Sequence, residues 1–223
     1  MKTQKRCLIH WLGLLGVISF LSYAAAVIFA PLAYPGYDWM SRAVSDLSAA
    51  DAPSLALWNQ VSSPYFVTGL VCIMMVCVAI QGRWNKTLRL GIYMFAAMSW
   101  VSCIGFAAFP LSGGGAAGRA FQDIMHMIVT AAVVLLSILS FVLIMIGGYR
   151  KKRFVSLAVC ATIALVLMFA GAIGTGLAPP EYFGVFQRLS NLIAANGFLA
   201  TLGVYLFIGK LDGKNTEKQG FKK

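Results

Sequence analysis

Six long apolar stretches divide this chain, and each is longer than the roughly 20 residues that an α-helix needs to cross about 30 Å of hydrocarbon. They lie at approximately residues 8–31, 57–80, 88–109, 124–147, 154–178 and 186–208. Backbone hydrogen bonds must close within a segment inside lipid, and the sequence lacks the alternation of barrel strands. The pattern predicts an all-α integral membrane protein with six transmembrane helices.

The charge balance bears on whether the partner is nucleic acid or membrane lipid. The 18 basic residues outnumber the 7 acidic ones, and 60% of the residues are hydrophobic. Nucleic-acid binding needs a basic patch on a folded scaffold, whereas these basic residues occupy short gaps between apolar stretches and the C-terminal tail. The predicted partner is therefore membrane lipid and not nucleic acid, and the sequence says nothing about oligomeric state.

The distribution of Lys and Arg predicts the orientation in the membrane. The N-terminus, the gap between stretches 2 and 3, the gap between stretches 4 and 5, and the tail together hold 15 of the 18 basic residues. Cytoplasmic loops carry this excess of positive charge. Both termini are therefore predicted to be cytoplasmic, with Arg42, Arg119, Arg188 and most of the acids on the outer side.

The first stretch has a competing interpretation as a signal peptide. Lys2–Arg6 form a basic start, and Ser22–Ala26 resemble a cleavage site. The apolar run continues to Ala30, however, which favours a retained span. The domain assignment is one six-helix domain at residues 1–209 and a charged cytoplasmic tail at residues 210–223.

A polar segment that recurs three times predicts an internal repeat. Ser45-Asp46-Leu47 begins ten residues after Pro35, and Ser190-Asn191-Leu192 begins ten residues after Pro180. In the middle copy Gln122-Asp123-Ile124 follows Pro110 with two extra residues. Because each copy stands at the same point of a two-span unit, the pattern predicts three tandem parallel helical hairpins whose polar segments meet at the outer end.

The candidate site is this outward-facing set of polar residues. His126 lies three positions after Asp123 on one helical face, and an imidazole beside a carboxylate can act as a general base. The alternative is structural: Arg and Asp four apart form ordinary helix pairs, and an interfacial His often only completes a hydrogen bond. The catalytic candidates are Asp46, Asp123, His126 and Ser45. The binding candidates are Ser41, Arg42, Ser45, Asp46, Arg119, Asp123, His126, Arg188 and Asn191.

Tyr34-Pro35-Gly36-Tyr37, Ser41, Val44-Ser45-Asp46-Leu47, Phe109-Pro110 and His126 together carry a family resemblance. Over nearly its whole length, the chain resembles a family of six-span bacterial and archaeal membrane proteins known only as a domain of unknown function. The resemblance implies a multi-pass protein of a bacterial or archaeal plasma membrane. Val44-Ser45-Asp46 followed by Pro53 is also similar to the DRAM-type six-span proteins, although the Pro-Glu that often follows there is missing.

Metal chemistry is not expected. The alkaline-ceramidase superfamily also places Ser, Asp and His at a membrane face, but it holds its metal with three His, and only His126 lies on the matching side here. Four of the five cysteines fall inside apolar stretches, where free Cys behaves as a small hydrophobe. The sequence predicts neither a metal site nor a cofactor.

Three functions stay open, and whether the protein is an enzyme is undecided. The first is an outward-facing polar cavity that binds a lipid headgroup or a small amphiphile. The second is a lipid-active membrane hydrolase or transferase that uses Asp46, Asp123 and His126 with a Ser41 or Ser45 nucleophile. The third is a small-molecule or proton-coupled transporter, which would need acids deep within the spans.

Cysteine labelling tests the predicted orientation. In a background without the native cysteines, a Cys at Asp51 should react with an impermeant maleimide in intact cells, and a Cys at Asn85 should react only after lysis. The opposite labelling pattern would invert the topology derived from the Lys and Arg distribution.

Overall fold

The computed structural model describes residues 6–82, 84–112 and 120–212. Six helical segments within them are long and apolar enough to cross a membrane, and these residues contain no β-strand. The prediction of an all-α protein with six transmembrane helices is confirmed.

Several of the spans are built from more than one helical piece. Spans one to three consist of α1 (Leu8–Leu12), α2 (Leu14–Phe29), the 3₁₀ turn Ala30–Ala33, α3 (Leu55–Ser62), α4 (Tyr65–Ile80) and α5 (Lys86–Ala108). Spans four to six consist of α6 (Phe121–Tyr149), the 3₁₀ turn Lys152–Phe154, α7 (Val155–Leu177), the 3₁₀ turn Pro180–Tyr182, α8 (Phe183–Arg188), the π-helix Leu189–Asn196 and α9 (Gly197–Phe207). The sixth span is the most irregular.

Three phenylalanine rings from different spans meet in the core. Phe95 of α5, Phe141 of α6 and Phe198 of α9 are each at most 2% exposed, and their ring centroids lie 5.1 to 5.9 Å apart. Edge-to-face and tilted ring pairs of this kind stabilise a core beyond the area that they bury. The rings therefore tie spans three, four and six together at the middle of the bundle.

The first and last spans approach each other through glycine. A Cβ on Gly203 would lie 2.3 Å from the carbonyl oxygen of Gly13, and a Cβ on Gly13 would lie 2.4 Å from the carbonyl oxygen of Gly203. Small residues allow helix backbones in lipid to come this close. Gly176, by contrast, has open space around the position of its missing Cβ.

The two ends of the bundle differ in charge. The acidic end carries the long loop 34–54 and the connections between spans three and four and between spans five and six. At this end, the loop 34–54 folds back over the helices: Leu47 is fully buried, and the Ala50 amide donates to the Leu111 carbonyl at 2.9 Å.

The basic end carries the first and last described residues and the other two connections. Here residues 210–212 pack against the bundle: Leu211 is fully buried, and the Trp84 indole donates to its carbonyl at 3.2 Å.

The three repeated polar segments differ in local structure. Asp46 lies in the 3₁₀ turn Val44–Ser48, Asp123 lies in the first turn of α6, and Asn191 lies in the π-helix. The tandem repeat and its threefold arrangement stay a prediction.

Adding one methyl group at Gly203 tests the close helix crossing. Gly203→Ala should lower the free energy of unfolding by about 1–3 kcal/mol, the usual cost of overpacking. Gly176→Ala makes the same change in an open position and should leave stability equal or slightly higher, because Ala favours a helix. Thermal unfolding of both variants is the measurement, and equal effects would contradict the assigned crossing.

Candidate functional site

A cavity of about 130 Å³ lies inside the helical bundle, and all six spans contribute to its wall. Engineered cavities of roughly 150 Å³ admit a molecule such as benzene, so this volume accommodates a small ligand or one end of a larger one. Apolar side chains such as Phe66, Leu70, Phe95 and Val134 form part of the wall. The remainder is polar, and among the described residues that line the cavity none carries a charge.

Serine and threonine hydroxyl groups form much of the polar wall. Ser99, Thr130 and Ser137 donate to the carbonyl oxygen four residues earlier in their own helices, at 2.7 to 2.9 Å. Ser19 donates across to the Tyr65 carbonyl at 2.8 Å. A hydroxyl has one hydrogen and two lone pairs, so each of these oxygens keeps acceptor capacity. The wall is therefore suited to a ligand that donates hydrogen bonds.

The π-helix supplies the amide groups of the wall. Asn196 Nδ2 donates to the Asn191 carbonyl at 3.0 Å and to Asn191 Oδ1 at 3.2 Å, and Asn191 Nδ2 donates to the Tyr23 hydroxyl at 2.9 Å. Both asparagines line the cavity. π-Helical turns are rare and frequently mark functional sites. The sequence indicated Asn191 as a binding candidate but did not predict the π-helix, for which the five-residue spacing of the two asparagines was the available signal.

Arg188, a predicted binding residue, lies at the acidic end and holds the long loop in place. Arg188 is 8% exposed, and its guanidinium donates to the carbonyl oxygens of Trp39 and Gly184 at 2.7 and 2.8 Å. It also reaches the Arg42 carbonyl at 3.2 Å and the Tyr37 hydroxyl at 2.9 Å. Within the described ranges, Arg188 forms no ion pair within 4 Å, so its charge is stabilised by carbonyl dipoles and the phenol.

The same loop rests directly on α8. The Gly184 amide donates to the Met40 carbonyl at 2.7 Å, and the Val44 amide donates to Gln187 Oε1 at 2.6 Å. A Cβ on Gly184 would lie 2.4 Å from the Arg42 carbonyl oxygen, so a side chain cannot be accommodated there. Because Gln187 also lines the cavity, the loop is connected to the cavity wall by one hydrogen bond.

The other predicted site residues of the loop 34–54 have different hydrogen-bond partners. Ser41 Oγ donates to Asp38 Oδ2 at 2.5 Å, and the exposed Arg42 donates to the Tyr34 hydroxyl at 3.0 Å. Ser45 is partly buried in the 3₁₀ turn, where its carbonyl accepts from Ser48. Asp46 is half-buried, and burial raises the pKa of its carboxyl group despite the opposing charges of Arg42 and Arg188.

Asp123 and His126 lie together at the start of α6. Asp123 is 1% exposed and accepts from the Ser112 amide at 2.8 Å and from the Ser112 hydroxyl at 2.6 Å. His126 Nδ1 is 2.9 Å from the Phe109 carbonyl, which requires that this nitrogen carry the proton and donate it. Phe106 lines the cavity and its ring lies 4.9 Å from the imidazole, centroid to centroid. Arg119 lies outside the described residues.

The predicted residues therefore divide into several groups. Asn191 alone among them is a described lining residue of the cavity. Arg188 and Arg42 share contacts with the loop 34–54, whereas Asp123 and His126 bind the chain between α5 and α6. Over the described stretches of chain, no group of three or more His, Cys, Asp or Glu is arranged to hold a metal ion.

Six apolar spans around a cavity with a mixed apolar and uncharged polar wall define a multi-pass membrane protein of the helical-bundle type. Residues 17–205 match the family DUF998, described as a protein of unknown function, and the chain belongs to that family. Comparisons with curated proteins and with solved structures found no match.

The raised pKa of Asp46 predicts a pH-dependent stability. The folded protein holds this proton more tightly than the unfolded chain, so ionisation costs stability above the raised pKa and costs nothing below the ordinary one. Asp46→Asn should therefore raise the melting temperature in detergent by about 1–2 °C at neutral pH, and the gain should vanish near pH 3.

Asp38 is the matched control in the same loop. Hydrogen bonds from Ser41 and from the Met40 amide lower the pKa of the Asp38 carboxyl group, so its ionised form stabilises the fold at neutral pH and that stabilisation is lost in acid. Asp38→Asn should lower the melting temperature at neutral pH. Changes of the same sign in both variants would contradict the assigned environments.

Proposed function

We propose that this protein binds a small uncharged amphiphile, whose hydroxyl-bearing headgroup enters the central cavity and whose aliphatic chain lies along the apolar wall. A monoacylglycerol has this chemistry. The observation that carries the proposal is a cavity wall of uncharged hydroxyl and amide groups next to aromatic and aliphatic side chains.

The charge of the wall favours an uncharged ligand. Burying an unpaired phosphate or carboxylate inside the bundle would cost several kcal/mol, and the described lining residues offer no cation to offset it. Hydroxyl groups cost far less to bury once they are hydrogen-bonded. The cavity therefore disfavours phospholipid headgroups and free fatty acids.

The hydrogen-bond directions favour a ligand with several donors. Ser19, Ser99, Thr130 and Ser137 all direct their hydrogens to backbone carbonyls and keep oxygen lone pairs for a ligand. A glycerol headgroup brings two hydroxyl donors, which such oxygens can accept. A simple hydrocarbon would leave these polar groups unused, and a chain bearing only acceptors would repel them.

The other two functions have less support. A hydrolase or transferase based on His126 would need a nucleophile beside the imidazole, but Ser41 donates its hydroxyl hydrogen to Asp38 and Ser45 lies in the 3₁₀ turn Val44–Ser48 of the long loop. A proton-coupled transporter would need titratable groups along the path, and the described cavity wall has no Asp, Glu, Lys, Arg or His.

Photo-crosslinking in lipid nanodiscs tests the proposal. A diazirine-bearing monoacylglycerol, added to protein in phosphatidylcholine nanodiscs, should crosslink to peptides from the cavity wall. Unlabelled monooleoylglycerol should compete, and oleate and phosphatidylglycerol should not. Ala195→Phe fills the cavity and should reduce crosslinking about tenfold, equivalent to about 1.4 kcal/mol of binding free energy.

Two further variants show whether a loss of crosslinking results from filling the cavity. Ser102→Leu fills the cavity from α5, outside the π-helix, and should reduce crosslinking in the same way. Val166→Phe adds an aromatic ring on the lipid-facing side of α7, where Val166 is 61% exposed, and should leave crosslinking unchanged. Equal crosslinking in all variants, or competition by phosphatidylglycerol alone, would overturn the proposal.

A further inference from the structure

At the basic end of the bundle, three side chains form a hydrogen-bonded chain that the cavity does not involve. Cys7 Sγ lies 3.0 Å from His10 Nδ1, and His10 Nε2 lies 2.8 Å from Asp212 Oδ2. His10 is only 6% exposed, whereas Cys7 is exposed. The thiol is thus the member of this Cys-His-Asp chain that faces the surroundings.

The backbone identifies which nitrogen of His10 carries the proton. The Cys7 amide lies 3.1 Å from His10 Nδ1, and an amide N–H can only donate, so Nδ1 is an acceptor. Neutral His10 therefore carries its hydrogen on Nε2 and donates it to Asp212. Nδ1 has one lone pair, which the Cys7 amide and the Cys7 thiol share, and this lone pair can serve as the base for the thiol.

We propose that Cys7 is an acyl-accepting site, modified by a long-chain acyl thioester such as an acyl-coenzyme A, with His10 as its base and Asp212 as a positioning residue. Cys7 immediately precedes α1, the first helix of the first span. Leu8 and Trp11 beside it are 73% and 52% exposed on the bundle surface. An acyl chain bonded to Cys7 would therefore enter the bilayer next to apolar side chains.

The reaction exchanges one thioester for another. As Cys7 Sγ attacks the thioester carbonyl carbon, Nδ1 of His10 accepts the thiol proton and a new carbon–sulfur bond forms. The tetrahedral intermediate collapses by breaking the bond to the carrier sulfur, and the leaving thiolate takes the proton from Nδ1. Atoms and charge balance without an oxidant or another reactant, and Asp212 stabilises the transient imidazolium.

The surroundings favour an anionic acyl carrier. Arg6 precedes Cys7, and its guanidinium lies 3.9 Å from the centroid of the Phe207 ring. Arg153 binds the backbone carbonyls of Lys210 and Asp212, which adds positive charge beside the chain. Positive charge raises the local concentration of a polyphosphate-bearing donor. The inference relies on the predicted cytoplasmic position of this end, where acyl thioesters are made.

Acylation of the purified full-length protein tests the inference. Protein in phosphatidylcholine nanodiscs is incubated with palmitoyl-coenzyme A at neutral pH and analysed by intact-mass and peptide mass spectrometry. One palmitoyl group should appear on Cys7 and be released by neutral hydroxylamine. Cys72, Cys77, Cys103 and Cys160, which lie within the spans, should stay unmodified.

Variants separate activation of the thiol from its accessibility. Cys7→Ser should abolish the adduct, and His10→Gln should slow acylation about tenfold or more, because general-base catalysis contributes roughly 10²–10⁴. Asp212→Ala should also slow it, and Asp212→Asn, which keeps an oxygen acceptor for Nε2–H, should restore part of the rate. Thermal unfolding of each variant shows whether the fold persists.

A cysteine without a histidine neighbour is the matched control. Lys151→Cys in the Cys7→Ser background places an exposed thiol at the same end of the bundle and should be acylated about tenfold more slowly than Cys7. Equal rates at the two positions, or an unchanged rate in folded His10→Gln, would overturn the proposed relay. Absence of a hydroxylamine-sensitive group on Cys7 would overturn the acylation site itself.

Discussion

Inside a bilayer, a polar group without a hydrogen-bond partner costs several kcal/mol, and this requirement organises the sixth span. Arg188, Asn191 and Asn196 occur within nine residues of a segment that otherwise reads as a transmembrane helix. Each finds a partner: the arginine on loop carbonyls, Asn191 on Tyr23, and Asn196 on Asn191. None of the buried side-chain N and O atoms that the structure describes lacks a hydrogen bond.

The hydrogen bonds of Arg188, Asn191 and Asn196 shape the structure on both sides of the π-helix. Toward the acidic end, three hydrogen bonds from Arg188 hold the loop 34–54 against α8, so a long connection becomes a fixed cover. Toward the bundle centre, the wider turn of the π-helix places Asn191 and Asn196 on the cavity wall. The same residues therefore shape the cover and the cavity, and Gln187 joins the two through the Val44 amide.

The two ends of the molecule use polar chemistry differently. At the acidic end, guanidinium, amide, hydroxyl and carbonyl groups bond to one another, whereas the hydroxyl oxygens of the cavity wall keep lone pairs for the uncharged headgroup that we propose. At the basic end, a buried imidazole lies between an exposed thiol and a carboxylate, which suits proton transfer during attack on a thioester. Binding is thus proposed for the central cavity and covalent modification for the basic end, and each can fail independently of the other.

Length and apolarity of the six stretches were sufficient to predict the six spans, because hydrocarbon thickness and internal backbone hydrogen bonding leave helices of about 20 residues as the solution. The family resemblance, carried by Tyr34-Pro35-Gly36-Tyr37 and Val44-Ser45-Asp46-Leu47, was confirmed by the match over residues 17–205. The sequence also indicated Arg188 and Asn191 as binding candidates, and both lie in an apolar stretch, where a polar side chain needs a partner.

The tertiary structure decided which hydrogen-bond partners Arg188 and Asn191 have. Long-range contacts such as Arg188 with Tyr37, or His10 with Asp212, join positions far apart in the chain, and periodicity carries no information on such pairs. The polar part of the cavity wall likewise includes serines and a threonine scattered over different spans, and each of them reads singly as a small helix residue. Only the packing of the six spans brings these hydroxyl groups to one wall, because helix rotation and crossing are set by close contacts such as Gly13 with Gly203.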